Sequence, residues 1–128
     1  MFYSIVSEKD IKNFLDKTNS LHDGYIIDVH YVNDGITIKE DAYCFDSERT
    51  KLILRILVTS INDIVVEIVF ENILEWQIKD NQRDILDTAV IFDVNHRIIW
   101  TDETFIDMNE LKNNSYVIAQ SMKWRIIE

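Results

Sequence analysis

Histidine and carboxylate side chains are the residues of this sequence that could hold a metal ion or transfer protons. His22 and Asp23 are adjacent, and His30 and His96 complete the histidines. Imidazole nitrogen and carboxylate oxygen are both zinc ligands. The spacing matches no metal motif, however, and His22 and His30 would lie about 26 Å apart along a strand at ~3.3 Å per residue. We therefore expect no metal, and we interpret His22 and Asp23 as a structural pair that braces the turn into the following strand. A small metal- or carboxylate-dependent enzyme built on the pair is the alternative function.

Nucleophilic and phosphate-binding chemistry has little support in the sequence. The single cysteine, Cys44, lies in the apolar run Ala42-Tyr43-Cys44-Phe45, and an apolar setting raises a thiol pKa. Gly24 and Gly35 are the two glycines of the chain, so a glycine-rich phosphate loop has no place to form. We expect no catalytic residue and no cofactor, and one cysteine excludes an internal disulfide framework.

Acidic side chains are concentrated in two stretches without a basic residue. One covers residues 56–78 and the other residues 98–111. The acids are Asp63, Glu67, Glu71, Glu75, Asp102, Glu103, Asp107 and Glu110. A solvated face that keeps a strand-rich protein soluble would explain them. The functional interpretation assigns all of them but Asp63 to the binding of a basic protein partner, with the polar stretch 102–114 as the expected contact loop.

The length and the net charge of the chain limit the number of domains and the kinds of partner that it can have. The chain has 128 residues, a net charge of −10 and a pI near 4.6. Its size suits one domain over residues 1–128. The charge disfavours nucleic acid and anionic membrane surfaces as partners, because both would repel it. Because we find no apolar run of ~20 residues and no basic region ahead of Ser7, we expect neither a membrane span nor a signal peptide, and a cytoplasmic location.

Composition favours strands over helices. The chain has 21 Ile and 10 Val but only three Ala, and β-branched residues pack well on a pleated surface. One helix is nevertheless predicted to start at Ser7, with Asp10 three residues on as in a capping box, and to end near Asn19 and Ser20. The residues ahead of it, 1–6, are expected to form a short strand or a docking tail.

The rest of the chain reads as strands joined by polar turns. The predicted strands cover residues 25–32, 36–40, 51–60, 64–70, 73–78, 85–94, 97–101 and 116–127. Asn33-Asp34-Gly35 predicts a hairpin between the first two strands, and Asn95-His96 predicts another. Residues 42–50 and 80–84 are predicted loops.

Residues 63–78 also allow a helix. Glu67, Glu71 and Glu75 are spaced four apart, which would align them on one helical face. Like charges at that spacing repel, and the run of Ile and Val around them is a poor helix former. We therefore predict strand here.

The three tryptophans, Trp76, Trp100 and Trp124, lie inside strand-like runs. Aromatic residues in strands are usually core residues, while a partly exposed one at a sheet edge would anchor an interface. A subunit of a homo- or hetero-oligomer is therefore a further alternative, and it predicts an exposed apolar strand edge or a partly exposed tryptophan.

Three segments together resemble short bacterial proteins of about 120 to 150 residues that are uncharacterised or grouped with the immunity proteins of toxin systems. They are Leu21-His22-Asp23-Gly24-Tyr25-Ile26, Val69-Phe70-Glu71-Asn72-Ile73-Leu74 and Ile118-Ala119-Gln120-Ser121-Met122-Lys123-Trp124. The resemblance implies a compact, largely antiparallel β fold without catalytic residues. It places the His and Asp of the opening motif on His22 and Asp23, and the closing Trp on Trp124. Gly24 stands where Ser or Ala is common.

The predicted fold is mainly β (α+β), with one N-terminal helix followed by an antiparallel, curled or doubled sheet of about seven to nine strands. The predicted function is that of a non-enzymatic acidic binding protein, such as an immunity or antitoxin-like inhibitor of a basic toxin domain.

Overall fold

Helix α1 (Glu8–Thr18) begins where the sequence predicts it. The computed structural model describes residues 1–79, 84–104 and 107–127. Ser7 is the N-cap, and its hydroxyl accepts a hydrogen bond from the Asp10 amide, while the Asp10 carboxylate accepts one from the amide of Val6 at 3.0 Å. The helix ends at Asn19, which has a left-handed backbone. The capping-box prediction is therefore confirmed.

Nine strands, a second, short α-helix and two 3-10 turns, at Asn19–Leu21 and Ser47–Arg49, make up the remaining regular structure of the described residues. The strands are β1 (Tyr3–Ser4), β2 (Gly24–Asn33), β3 (Ile36–Lys39), β4 (Ala42–Phe45), β5 (Thr50–Val58), β6 (Ile64–Gln77), β7 (Ala89–Phe92), β8 (Ile98–Thr101) and β9 (Tyr116–Ile126), and the short helix is α2 (Met108–Leu111). Seven strands form one antiparallel sheet in the order β2-β5-β6-β9-β8-β7, with β1 added to β9, and β3 pairs with β4 in a separate two-stranded sheet. The predicted mainly-β fold with an N-terminal helix is confirmed.

A β-bridge between Gly24 and Ile85 brings the two ends of the large sheet's strand order close to each other. Gly24 opens β2, the first strand in the order, and Ile85 precedes β7, the last one. The amide of Ile85 donates to the Gly24 carbonyl at 2.7 Å. A Cβ added at Gly24 would lie 2.6 Å from the carbonyl oxygen of Leu21. Close packing at this junction therefore explains why glycine occupies this position.

The core lies between α1 and the inner face of the sheet. Alternate residues of β5 are fully buried, as expected for a strand with one face in the core. Phe14 of α1 is also fully buried and packs edge-on against Trp124 of β9, with the ring centroids 5.3 Å apart. The short strand β1 continues the same contact, because Tyr3 pairs with Trp124. The N-terminal segment thus forms a strand, one of the two alternatives that the sequence allows.

The predicted hairpin around Asn33-Asp34-Gly35 is wrong. β2 pairs with β5, and β3 pairs with β4 around a turn at Glu40 and Asp41, both of which have positive φ. Gly35 does not adopt positive φ. A Cβ added at Gly35 would lie 2.0 Å from the carbonyl oxygen of Asp46. The two backbones are also hydrogen-bonded, because the amide of Asp46 donates to the carbonyl of Gly35. The glycine therefore permits close approach of two backbones and does not form a turn.

The predicted loop over residues 42–50 is wrong for its first half, because Ala42–Phe45 is strand β4. The loop at residues 80–84 falls mostly on residues 80–83, which lie outside the described part of the chain.

Residues 64–77 form one strand, not the predicted two and not a helix. Asn72 has φ 57°, and a β-bulge two residues further on shifts the register with β9 between Ile73 and Glu75. The Asn72 side chain also accepts a hydrogen bond from Ser47 at 2.9 Å. These two irregularities explain why the sequence pattern breaks here although the strand continues.

The predicted hairpin around Asn95-His96 is confirmed, as is the long closing strand. Asp93 holds this turn by accepting from the amides of Asn95 and Arg97. β7 starts at Ala89, later than the predicted residue 85, because Ile85 is bridged to Gly24. No helix among the residues that the structure describes is long and apolar enough to cross a membrane.

Candidate functional site

The stretch between β8 and β9, residues 102–114, forms an acidic loop whose two ends are fixed to the sheet. Asp102 is buried, and its carboxylate accepts from the amide of Ser115 at 3.2 Å. The Thr101 hydroxyl donates to the Ser115 carbonyl at 3.0 Å. Gln77, at the end of β6, donates to the carbonyls of Lys112 and Asn114, each at 3.0 Å. The loop is thus held by three neighbouring strands.

Helix α2 positions the acids in the middle of the loop. Asp107 is its N-cap and accepts from the amide of Glu110 at 3.1 Å. On the next turn, Leu111 is buried against Ile99 and Tyr116 in a small second core. Because Leu111 anchors the inner side of α2, Asp107 and Glu110 are left exposed on its outer side. Residues 105 and 106 lie outside the described residues.

Three of the predicted partner-binding acids line one pocket. The pocket has a volume of about 250 Å³, and its walls include Glu103, Asp107 and Glu110. The other lining residues are Thr101, Thr104, Leu111, Asn113 and Asn114. Carboxylate and amide oxygens accept hydrogen bonds from cations, while Leu111 offers an apolar surface. The pocket is therefore suited to an ammonium or guanidinium group on an aliphatic stem.

The acids of β6 lie in different surroundings. Glu67 is 4% exposed and its two carboxylate oxygens each meet an arginine, Arg55 and Arg125, at 2.9 Å. Glu71 forms an ion pair with Lys123 at 3.3 Å. All three bases come from strands that neighbour β6. Residues 56–78 contain no base, but bases from the neighbouring strands neutralise Glu67 and Glu71. These two acids therefore do not form an uncompensated acidic surface.

Glu75 is bound to a residue at the start of β9. It accepts a hydrogen bond from the Tyr116 hydroxyl. Burial, and then the hydrogen bond and negative charge of Glu75, raise the pKa of Tyr116 to about 12. The tyrosine therefore stays a neutral donor to Glu75 at physiological pH.

His22 and Asp23 lie where three segments of chain meet. The imidazole Nδ1 donates to the carbonyl of Leu86 at 2.5 Å, and Nε2 lies 3.7 Å from the Asp23 carboxylate. The backbone carbonyl of His22 accepts from Ser60, and that of Asp23 accepts from the Thr59 hydroxyl at 2.9 Å. These bonds tie the start of β2 to the turn after β5 and to the segment before β7. The interpretation of His22 and Asp23 as a structural pair agrees with these contacts and stays a prediction.

The other two histidines lie elsewhere in the sheet. His30 is in the middle of β2, and His96 stacks on Phe92 in the β7–β8 turn, with ring centroids 4.4 Å apart. Among residues 1–79, 84–104 and 107–127, no group of three or more His, Cys, Asp or Glu side chains could hold a metal ion.

Protonation of His22 should stabilise the folded protein. The hydrogen bond to Leu86 and then the charge of Asp23 raise the pKa of His22 above its ordinary value of 6.5. Its contribution to the free energy of unfolding is therefore fully present below pH 6.5 and is lost as the pH rises through the folded-state pKa. We expect His22→Asn to destabilise the protein more at acidic than at alkaline pH. Urea denaturation below pH 6.5 and at an alkaline pH well above the folded-state pKa checks this, and an equal loss at both pH values would contradict it.

The tryptophans divide between core and partial exposure. Trp100 and Trp124 are 0% and 1% exposed. Trp76 is half-buried and contacts Tyr31 of β2, with ring centroids 5.3 Å apart. Trp124, the closing residue of the sequence resemblance, is thus placed in the core.

Comparison of the chain with models of known protein families, with curated proteins and with solved structures finds no match.

Proposed function

We propose that this protein is an acidic binding protein without catalytic activity, and that its acidic loop receives basic side chains of a protein partner. The observation that carries the proposal is that three acidic residues, Glu103, Asp107 and Glu110, line one pocket. Three carboxylates around a pocket of about 250 Å³ fit a lysine or arginine side chain far better than an anionic or apolar group.

The anchoring of the loop supports the same function. Binding costs less free energy when the receiving groups are already ordered, and Gln77, Thr101 and Asp102 hold both ends of the loop in place. The net charge of −10 adds long-range attraction for a basic partner and repulsion for nucleic acid.

The narrower proposal is an immunity or antitoxin-like inhibitor that blocks a basic toxin domain in the cytoplasm. It is supported by the resemblance of the segments around His22, Asn72 and Trp124 to short bacterial proteins, some of which are grouped with immunity proteins. In this function the carboxylates of the acidic loop would cover basic residues that the toxin needs for its own substrate.

The loop can be tested with an oligo-arginine peptide. We expect the peptide to shift the NMR amide signals of residues 101–114, and the double variant Asp107→Asn/Glu110→Gln to weaken its binding about tenfold at low salt. Asparagine still caps α2, so the variant removes charge and keeps the helix. The matched control, Glu8→Gln/Asp63→Asn, makes the same change in charge at exposed sites outside the loop. Equal weakening in both variants would contradict a localised site.

The inhibitor proposal needs the natural partner. Capture from the native lysate at low salt should retain a basic protein encoded next to this chain, and the Asp107→Asn/Glu110→Gln variant should lose it. Co-expression should then suppress the toxicity of that protein. Retention of an acidic protein, or of a neighbour that is harmless when expressed alone, would contradict the inhibitor proposal while leaving the peptide result intact.

A further inference from the structure

The hairpin β3–β4 forms an arm that carries large apolar side chains into solvent. The arm covers residues 34–49 and continues from the point where the pairing of β2 with β5 ends. Four of its side chains are mostly exposed, with exposed fractions of 52%, 67%, 79% and 57% for Ile36, Ile38, Tyr43 and Phe45. Every residue of both strands is exposed.

The four side chains share one face of the arm. Ile36 is directly opposite Phe45, and Ile38 is directly opposite Tyr43. Residues directly opposite in an antiparallel pair point to the same side, and so do residues two apart in one strand. The remaining residues of the strands, Thr37, Lys39, Ala42 and Cys44, therefore lie on the other face.

The apolar face is large for an arm that has little support of its own. Its four side chains expose on the order of 500 Å² of surface, about the size of the largest apolar patch on an ordinary monomer, and such patches often mark an interaction site. An isolated two-stranded hairpin is marginally stable in water unless it packs against another surface. A covering surface would therefore stabilise the arm.

Charge is excluded from this face. Lys39 is the one charged residue within β3 and β4, and it lies on the opposite face. The carboxylates of the arm lie outside the strands, at the tip with Glu40 and Asp41 and at the base with Asp34, Asp46 and Glu48. The positive charge of a basic partner would meet no carboxylate at the apolar face and would add nothing to binding there. A second, identical apolar face would pack against this one without burying a carboxylate.

We propose that a second copy of this chain covers the apolar face, with the two arms packed face to face about a two-fold axis. Both copies present the same face across such an axis, so the interface is self-complementary. Two faces of roughly 500 Å² bury about 1,000 Å² in total, near the lower limit for a specific interface, and homodimer interfaces are the more apolar class. The proposal is independent of the acidic loop.

Sedimentation velocity over a range of micromolar concentrations tests the dimer. We expect the wild-type chain to associate to a dimer, and Ile38→Asp to weaken the association at least about 30-fold. Thr37→Asp places the same charge one residue away on the opposite face and should leave the dimer intact. Tyr43→Ser removes an aromatic contact without adding charge and should weaken it as well. Circular dichroism checks that each variant keeps the strand signal.

Added salt gives a second readout. Each copy carries a net charge of −10, so screening by NaCl should strengthen an apolar dimer. A wild-type chain that stays monomeric at every concentration would overturn the proposal. The partner of the apolar face would then be a different protein. A dimer that tolerates Ile38→Asp, or one that Thr37→Asp disrupts equally, would also overturn it.

Discussion

Replacing both Arg55 and Arg125 by leucine is expected to lower the free energy of unfolding by about 3–5 kcal/mol. The Glu67 side chain is 5% exposed, and each of its carboxylate oxygens meets one of these arginines at 2.9 Å. Leucine at both positions leaves a buried carboxylate without a cation. Charged groups taken out of water without a partner are among the most destabilising features that a fold can contain.

The companion variants separate the charge effect from lost packing. Adding Glu67→Leu to the double variant should recover most of the stability, because an apolar triad in place of a buried ionic one is often neutral or stabilising. Glu67→Leu alone should cost about 1–3 kcal/mol, since the two arginine side chains, 45% and 39% exposed, still reach water. Urea denaturation of the four proteins measures these differences. A double variant as stable as the wild type would show that Glu67 is solvated in solution.

The ion pairs of Glu67 with Arg55 and Arg125 show why the environment of the β6 acids cannot be predicted from sequence. Glu67, Glu71 and Glu75 lie in a stretch without bases, yet Arg55 is 12 residues and Arg125 is 58 residues from Glu67 in the chain. Only strand register brings them together. Acids of a loop bounded by two adjacent strands are easier to predict, because Glu103, Asp107 and Glu110 are close in sequence and line one pocket.

A local sequence signal with one physical meaning predicts the structure that forms. Ser7 and Asp10 satisfy the amides at the start of α1, and few other arrangements use that spacing. Gly35 carries two possible meanings, a turn with positive φ or a close approach of two backbones, and the sequence does not distinguish them. The competing turn at Glu40 and Asp41 contains no glycine, which is why the β3–β4 arm could not be predicted.

Trp124 connects more elements than its place in the last strand suggests. Its ring stacks on Tyr3 of β1 at 4.9 Å and meets Phe14 of α1 at 5.3 Å, measured between ring centroids. It also pairs with Ile68 in the centre of the sheet. One side chain therefore joins the N-terminal strand and helix to the sheet.

Trp124→Ala is expected to lower the free energy of unfolding by about 3–5 kcal/mol, because a large cavity would open between α1 and the sheet. The effect should be largest at the N-terminal segment, so hydrogen exchange of the α1 amides should speed up more than that of β5. Trp124→Phe keeps most of the ring volume, and it sacrifices no hydrogen bond since the indole N–H is buried without a partner among the described residues. Trp124→Phe should therefore cost much less stability than Trp124→Ala.

Trp76→Ala, at a half-buried ring, gives the matched comparison for a tryptophan outside the α1 contact. Amides of α1 that exchanged no faster in Trp124→Ala than in Trp76→Ala would contradict this prediction. The helix would then be held mainly by Ile11 and Thr18, its buried residues besides Phe14.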